Sequence, residues 1–403
     1  MPPRPPLVYD PSVPGFSGHA HAVYDRLRDE EPFHWAPQVQ EWIVTRHADV
    51  KAVLRHPALR PPDVAASIDR VARETALPLP ALRLLIAESV MLQSAPGHAQ
   101  ARRFLSRVMN QRPLAESAPM IESIVAGRVD ALRKAGGGDL VADFARAVPL
   151  QFMGAWLGVP AEEMALLADC AEDVIFVLER RVNADQWVEI NSRVALAIDH
   201  LAGSCAERRA VARDDGLSRI MDLARTEPDL DDRLVATRVF FLFIAGLDTT
   251  TTFLGRAMLD LLMNDGERMR WQEGAVDGAI AVEELLRHTS PVARVTREAA
   301  EDGEVCGRLI TRGQRISAMI EAANRDPAVF ADPHRLDLDR APCPHLSFGD
   351  GVHACLGAGL ARMKAGIALR EFVRLPRLRQ DEPPQASRAD ILKPFKTLPV
   401  VFT

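Results

Sequence analysis

The stretch Phe348-Gly349-Asp350-Gly351-Val352-His353-Ala354-Cys355-Leu356-Gly357 decides how this chain is read. Glycines at 349, 351 and 357 surround one cysteine, and two of them precede it within six residues. Glycine accepts left-handed backbone at no steric cost and lets a backbone approach a flat partner closely. A last helix is predicted over 356–374, which puts Cys355 at a helix N-terminus. The dipole and open N–H groups there favour a thiolate. Such a sulfur serves as a nucleophile, as a metal ligand, or as a buried structural thiol beside a turn. Spacing alone leaves all three open.

The rest of the composition narrows the class. The chain has 403 residues, 47% hydrophobic and 26% charged. That is ordinary for a soluble globular protein and excludes a disordered chain or a small disulfide scaffold. At ~150 residues per domain, length alone suggests two or three domains. The net charge of −6 argues against a general nucleic-acid binder. Only five of the 49 basic residues are lysine, so a single arginine carries little information here. The five cysteines (170, 205, 306, 343 and 355) are scattered and odd in number, with no CxxC pair. A reducing cytoplasm is expected, with at least one thiol left to explain. The Pro-rich start has no apolar core of a signal peptide. The apolar run near 239–247 is far short of the ~20 residues of a membrane span. No membrane anchor is expected.

Along the chain, residues 1–19 read as an extended arm and 20–30 as an amphipathic helix. A hairpin is predicted over 33–45 and a helix over 48–55. Residues 57–97, broken by six prolines, read as irregular, which inside a compact protein usually signals function. Helices dominate from there to about 290. Short β pieces follow at 294–298 and 315–319, with coil over 324–344 and a strand at 398–402. No linker separates independent domains.

Three further constellations stand out. A helix predicted over 231–264 carries Ala245-Gly246-Leu247-Asp248-Thr249-Thr250-Thr251-Thr252 in its middle. Glycine, aspartate and threonine are poor helix formers, each costing up to ~1 kcal/mol against alanine. Threonine hydroxyls can also bond back to the preceding turn and bend it. A local rule broken mid-helix marks a functional site, or a notch where Gly246 admits a crossing helix. Glu284 and Arg287, three apart, share a helix face, as an ion pair of some kind. His98 and Arg102, four apart after Pro96-Gly97, either hold an anion together or form a solvated face.

Taken together and in this order, these segments resemble the cytochrome P450 family of haem-thiolate monooxygenases. Phe348–Gly357 is similar to the family's F-x-x-G-x-(H/R)-x-C-x-G loop at every fixed position, and Leu360-Ala361-Arg362 continues it. Residues 245–250 resemble its A-G-x-D-T-T, and 284–287 its E-x-x-R. Residues 323–327 and 330–335 are similar to its meander, and His98, Arg102 and Arg297 to its propionate-binding elements. The landmarks run from residue 33 to the C-terminus.

The resemblance implies a mainly α fold with minor β sheets. It implies one domain over 1–403, with haem between the long distal helix and the Cys-loop with its proximal helix. It implies haem b with Cys355 as axial thiolate; Cys343, flanked by two prolines, is the rival. Phe348, Gly349, Gly351 and Gly357 shape the loop. His98, Arg102, Arg297 and His353 meet the propionates. Glu284, Arg287 and Arg335 form a buried structural network. Gly246, Asp248 and Thr249 make the oxygen-side turn, with Asp248 and Thr249 as the acid–alcohol pair that delivers protons.

Pocket walls are implied from 57–97, near Phe176, and at 240–248, 292–295 and 395–398, including Leu242, Ala245, Val292, Ala293 and Phe395. These are mainly apolar, which favours a hydrophobic small molecule. Arg294 is either a carboxylate anchor or structural. The implied reaction inserts one atom of O2, usually as a hydroxylation. NAD(P)H-derived electrons arrive through a ferredoxin or flavodoxin docked at a basic face around Arg103, Arg107, Arg112 and Lys364. A peroxide-driven peroxygenase and a non-catalytic haem sensor or carrier are the alternatives. A monomer is expected.

Overall fold

The computed structural model describes residues 7–403 apart from 14, 112–113, 179–181, 228 and 388–390. Arg112, the side chain of Phe176 and the first six residues of the arm therefore lie outside the described residues. The chain groups into two compact units. One joins Met1–Pro62 to Asn264–Cys355, and the other joins Asp63–Met263 to Leu356–Thr403. Each is assembled from segments distant in the chain.

The first unit is built on a five-stranded sheet. Its order is Phe33–Ala36, Glu41–Val44, Arg315–Met319, Arg294–Ala299, Leu59–Arg60. The first two strands form the predicted hairpin, with Trp35 opposite Trp42. Glu41–Val44 runs parallel to Arg315–Met319, which pairs antiparallel with Arg294–Ala299. Side chains alternate across a strand. Val44 and Ala318 therefore pack on Val50, Val53 and Leu54 of helix His47–Arg55, while Ile43 and Met319 pack on Tyr24 and Leu27.

The helix carrying Tyr24 begins at Phe16 rather than at residue 20. Phe16, Ala20, Tyr24 and Leu27 form one buried stripe, and that stripe draws residues 16–19 into the helix. The hairpin Gly303–Val305 with Arg308–Ile310 was not foreseen. Its turn residues, Cys306 and Gly307, both have positive φ. Cysteine is not among the residues that usually announce such a turn.

The second unit is organised around the helix Asp232–Met263, within one residue of the predicted bounds at each end. Its 32 residues span about 48 Å at ~1.5 Å per residue. It packs against Ala184–Ala210, Pro80–Glu88, Ala161–Leu178 and Ala358–Val373. Among the described helices it alone is long and apolar enough to cross a membrane, and 56% of that window is buried inside the protein.

The irregular reading of 57–97 is corrected. Two helices lie there, Val64–Thr75 and Pro80–Glu88. Pro80 occupies a first helical turn, where its missing N–H has no partner to lose. Asp63 caps the other helix by accepting the Ala66 N–H at 2.8 Å. The prolines at 61, 62 and 78 fall outside both. The predicted C-terminal strand is Pro399–Phe402, central in a three-stranded sheet with Gly137–Asp139 and Leu378–Gln380.

Candidate functional site

The cysteine loop leaves the first unit through residues held by Asn324. The Asn324 amide donates to the Ser290 and Ser347 hydroxyls at 2.6 and 2.8 Å, and its carbonyl oxygen accepts the Leu346 N–H at 2.7 Å. Ser347 donates to the Leu286 carbonyl, fastening the loop's start to helix Gly278–Thr289. Gly349 and Gly351 then take positive φ, +67° and +73°. At Gly351 a Cβ would also meet the Leu54 carbonyl oxygen at 3.1 Å. The close approach that this glycine permits is thus to helix His47–Arg55.

Asp350 between the two glycines accepts from Arg55 at 2.8 Å, with the Lys51 ammonium 3.9 Å away. Burial alone would raise the Asp350 pKa. Bonds from Arg55 and the Gly351 N–H outweigh it and hold the carboxyl below the usual range. The Cys355 N–H closes the loop onto the Phe348 carbonyl at 2.8 Å. Cys355 is exposed and lies just ahead of helix Ala358–Val373, whose N-cap is Gly357.

The other four thiols are all held above the usual cysteine range. Burial pushes Cys170 and Cys306 up to about 11, and Cys205 and Cys343 up to about 12. Cys343 also faces the Glu284 carboxylate and donates to the Glu283 carbonyl at 3.6 Å. Burial and these carboxylate and carbonyl neighbours hold Cys343 in its thiol form.

The anion-binding candidates fall in both units. In the first, Arg297 is 5% exposed. Its guanidinium donates to the Thr296 carbonyl at 3.1 Å and has no carboxylate partner among the described residues. Burial pulls its pKa down to about 10. A buried guanidinium with no counter-ion among the described residues suits an anionic group such as a porphyrin's propionates. His353 sits half-buried on the turn Gly351–His353 of the cysteine loop. In the second unit, His98 is buried in the first turn of Gly97–Met109. Burial and the neighbouring Arg102 charge hold its pKa below the usual imidazole value.

Glu284 and Arg287 are fully buried and bidentate, at 2.7 and 2.8 Å. Arg287 also donates to the carbonyls of Asn324, Pro333 and Arg335. The expected network needs one correction. Arg335 enters through its carbonyl while its side chain is exposed. The third charged group is Arg340, which donates to Glu284 at 3.0 Å and to the Ala331 carbonyl at 2.6 Å. Arg340 lies 56 positions from Glu284 in coil, with no local pattern to announce it. Arg294 is engaged within the sheet by Thr296 and Ser317, with Glu41 at 3.8 Å, which fits the structural role better than a substrate anchor.

In the second unit, the mid-helix threonines divide. The Thr249 and Thr251 hydroxyls fold back onto the Ala245 and Leu247 carbonyls at 2.7 and 2.8 Å. Around Gly246 a Cβ would meet, among the described residues, the sulfur of Met153 on helix Ala147–Leu157 at 3.9 Å, an ordinary contact. The Asp248 Oδ2 is buried with no hydrogen-bond partner among the described residues. Desolvation lifts its pKa to about 7, with Arg146 opposing and Glu172 adding to the rise. Leu242 and Ala245 lie on the same helix, Ala245 exposed. Phe395 lies instead against Gly255, some three turns further along it. In the first unit Ala293 is buried and Val292 half-buried.

Lys364, expected on an exposed basic face, is 3% exposed. Its ammonium donates to the Thr250 hydroxyl at 3.2 Å and lies 5.5 Å from the Phe152 ring centre. Its spacing to Ala365 and Ala368 on the buried stripe of the helix was the available signal.

Known proteins resolve what the geometry supports. The family model described as Cytochrome P450 matches residues 279–399. Nocardicin C N-oxygenase of Nocardia uniformis subsp. tsuyamanensis is 32% identical over 95% of both chains. The crystal structure of CalO2 has a TM-score of 0.89 at 26% identity and covers 99% of each chain. That of P450BioI, in complex with hexadec-9Z-enoic acid ligated acyl carrier protein, has a TM-score of 0.85 at 25% identity over 96% and 99%. With its Cys-loop, its buried Glu284–Arg287 pair and its Asp248–Thr249 turn, this chain belongs to the cytochrome P450 family of haem monooxygenases.

Proposed function

We propose that the chain inserts one atom of O2 into a hydrophobic small molecule, using NAD(P)H-derived electrons handed over by a ferredoxin or flavodoxin. It acts as one cytoplasmic, monomeric catalytic domain. Haem b, when bound, supplies the oxygen activation, and a thiolate ligand favours O–O cleavage. Cys355 is the proposed ligand. Arg297, His353, His98 and Arg102 hold the propionates, and Phe348, Gly349, Gly351 and Gly357 give the loop its shape.

The observation that carries the O2 route is Asp248. A carboxyl that titrates near 7 takes up and releases a proton readily at physiological pH. Its buried Oδ2 leaves an acceptor open for a proton carrier. The Thr249 hydroxyl, parked on the Ala245 carbonyl, follows it in the chain and passes the proton on by rotating. A peroxide-driven enzyme needs no such delivery, because peroxide brings both oxygens and two electrons.

Product formation with a ferredoxin and its reductase, set against peroxide alone, tests this. Product from the electron-transfer route is expected, with Thr249→Ala releasing most of its NADH electrons as peroxide. Product from peroxide only, or unchanged coupling in Thr249→Ala, overturns it.

For partner docking, Arg103 and Arg107 are exposed and Lys364 drops out. Arg107 is already paired with Glu227 at 3.0 Å. An acidic partner therefore relies on Arg103 and neighbouring charges, and its reduction kinetics slow with salt. The pocket candidates Leu242, Ala245, Val292, Ala293 and Phe395 are apolar. The P450BioI complex holds a carrier-linked acyl chain. A spectral titration library therefore includes such chains beside free terpenoids, fatty acids and aromatics.

A further inference from the structure

We infer that Lys364 is a positioning residue for the turn that carries Asp248 and Thr249, holding the back of that turn through the Thr250 hydroxyl. This rests on the role proposed above for Asp248 and Thr249. The hydroxyls of the four consecutive threonines end in three different states. Thr249 and Thr251 bond back to their own helix. Thr252 Oγ1 is buried with no partner among the described residues. Thr250, 6% exposed, accepts from the Lys364 ammonium.

Burying a charge is unfavourable unless something compensates it. Here the compensation includes Thr250 and the face of Phe152. The choice of residue is itself informative. Arginine outnumbers lysine 44 to five in this chain, yet lysine occupies this core position. A compact ammonium reaches one hydroxyl where a planar guanidinium would need more room and more acceptors.

The geometry says what the tie does. Residues two apart on a helix of 3.6 residues per turn point about 200° apart. Thr250 and Asp248 therefore face opposite ways, with Thr249 between them. Holding Thr250 fixes the rotation of the turn about the helix axis, and so the direction of Asp248. The charged groups acting on Asp248 are Arg146 and Glu172, both from other elements of the same unit. A rotation of the turn changes its distance to each and its access to water. Lys364 also lies nine positions after Cys355, on the helix that follows the cysteine loop, so the tie joins that helix to the proton-delivering turn.

The test uses haem-loaded protein without turnover, so it fails separately from the coupling test of Thr249→Ala. Lys364→Met removes charge and donor. Lys364→Gln keeps a donor. Thr250→Val removes the acceptor and keeps the shape. Hydrogen exchange is followed over residues 245–252. The thermal-midpoint difference between Asp248 and Asp248→Asn is followed against pH in each background; its midpoint reports the Asp248 titration.

In Lys364→Met and Thr250→Val, exchange over the turn is expected to quicken about fivefold, the size of one lost hydrogen bond. The titration is expected to fall by about one pH unit, tenfold in proton affinity. The double variant should be no worse than either single one, and Lys364→Gln milder. Should Lys364→Met not hold haem, Thr250→Val carries the test alone. Wild-type exchange and titration in Thr250→Val, additive effects in the double variant, or faster exchange with an unmoved Asp248 titration would each overturn the inference.

Discussion

Among the described residues, two of the buried polar clusters are built on opposite principles. Around Glu284 and Arg287 every charge is answered: two bidentate bonds, three carbonyls and the Arg340 guanidinium. Around Asp248, on the long helix, one carboxyl oxygen and the Thr252 hydroxyl are buried with no partner among the described residues. A saturated network rigidifies the structure that surrounds it, whereas an unsaturated one keeps a group ready to exchange protons. The difference separates residues that hold the fold from the residue proposed to move protons, although both are charged, buried and helical.

Breaking the saturated cluster is expected to have the largest effect. Glu284→Ala strands Arg287 and Arg340 and costs about 3–5 kcal/mol. The expected result is aggregate or haem-free protein, read by soluble yield and haem absorbance. Soluble protein with full haem content would show that the pair is dispensable.

The unsaturated cluster responds with the opposite sign. The Asp248 pKa is raised in the folded protein. The fold therefore binds an extra proton between the ordinary carboxylate value and about 7, and loses stability as pH rises through that window. Asp248→Asn should stabilise at pH 8 by up to about 4 kcal/mol, and by almost nothing near pH 4. Thermal midpoints at both values check this; an equal effect at both would mean that Asp248 titrates normally.

The smallest effects sharpen the membership of the first cluster. Arg340→Met removes a bond to a buried carboxylate and should cost about 1.5–3 kcal/mol. Arg335→Met, whose side chain is exposed, should stay within about 0.5 kcal/mol. Denaturant midpoints that rank the two the other way round would restore the pattern expected from sequence.

Legibility followed the range of the interactions. The long helix was read to within a residue, because its apolar run and its breaks are local. The hairpin Phe33–Val44 was legible from alternation and turn residues. The helices of 63–88 were not, because proline breaks a helix interior but is at home in a first turn, where Pro80 lies. Cys355, Asp248 and Glu284 were legible as motif positions. The long-range contacts around them were not: the bonds of Arg340, Lys364 and Asn324 span 56, 114 and 22 positions. Spacing rules describe neighbours on one element and are silent on such distances.

The identity of the sulfur that holds the iron is the central question. The most direct measurement is the carbon-monoxide difference spectrum of the reduced, haem-loaded protein in wild type, Cys355→Ala and Cys343→Ala. The account predicts the red-shifted, thiolate-type Soret band in wild type and Cys343→Ala and its loss in Cys355→Ala. The band surviving in Cys355→Ala, or vanishing in Cys343→Ala with haem retained, would contradict it.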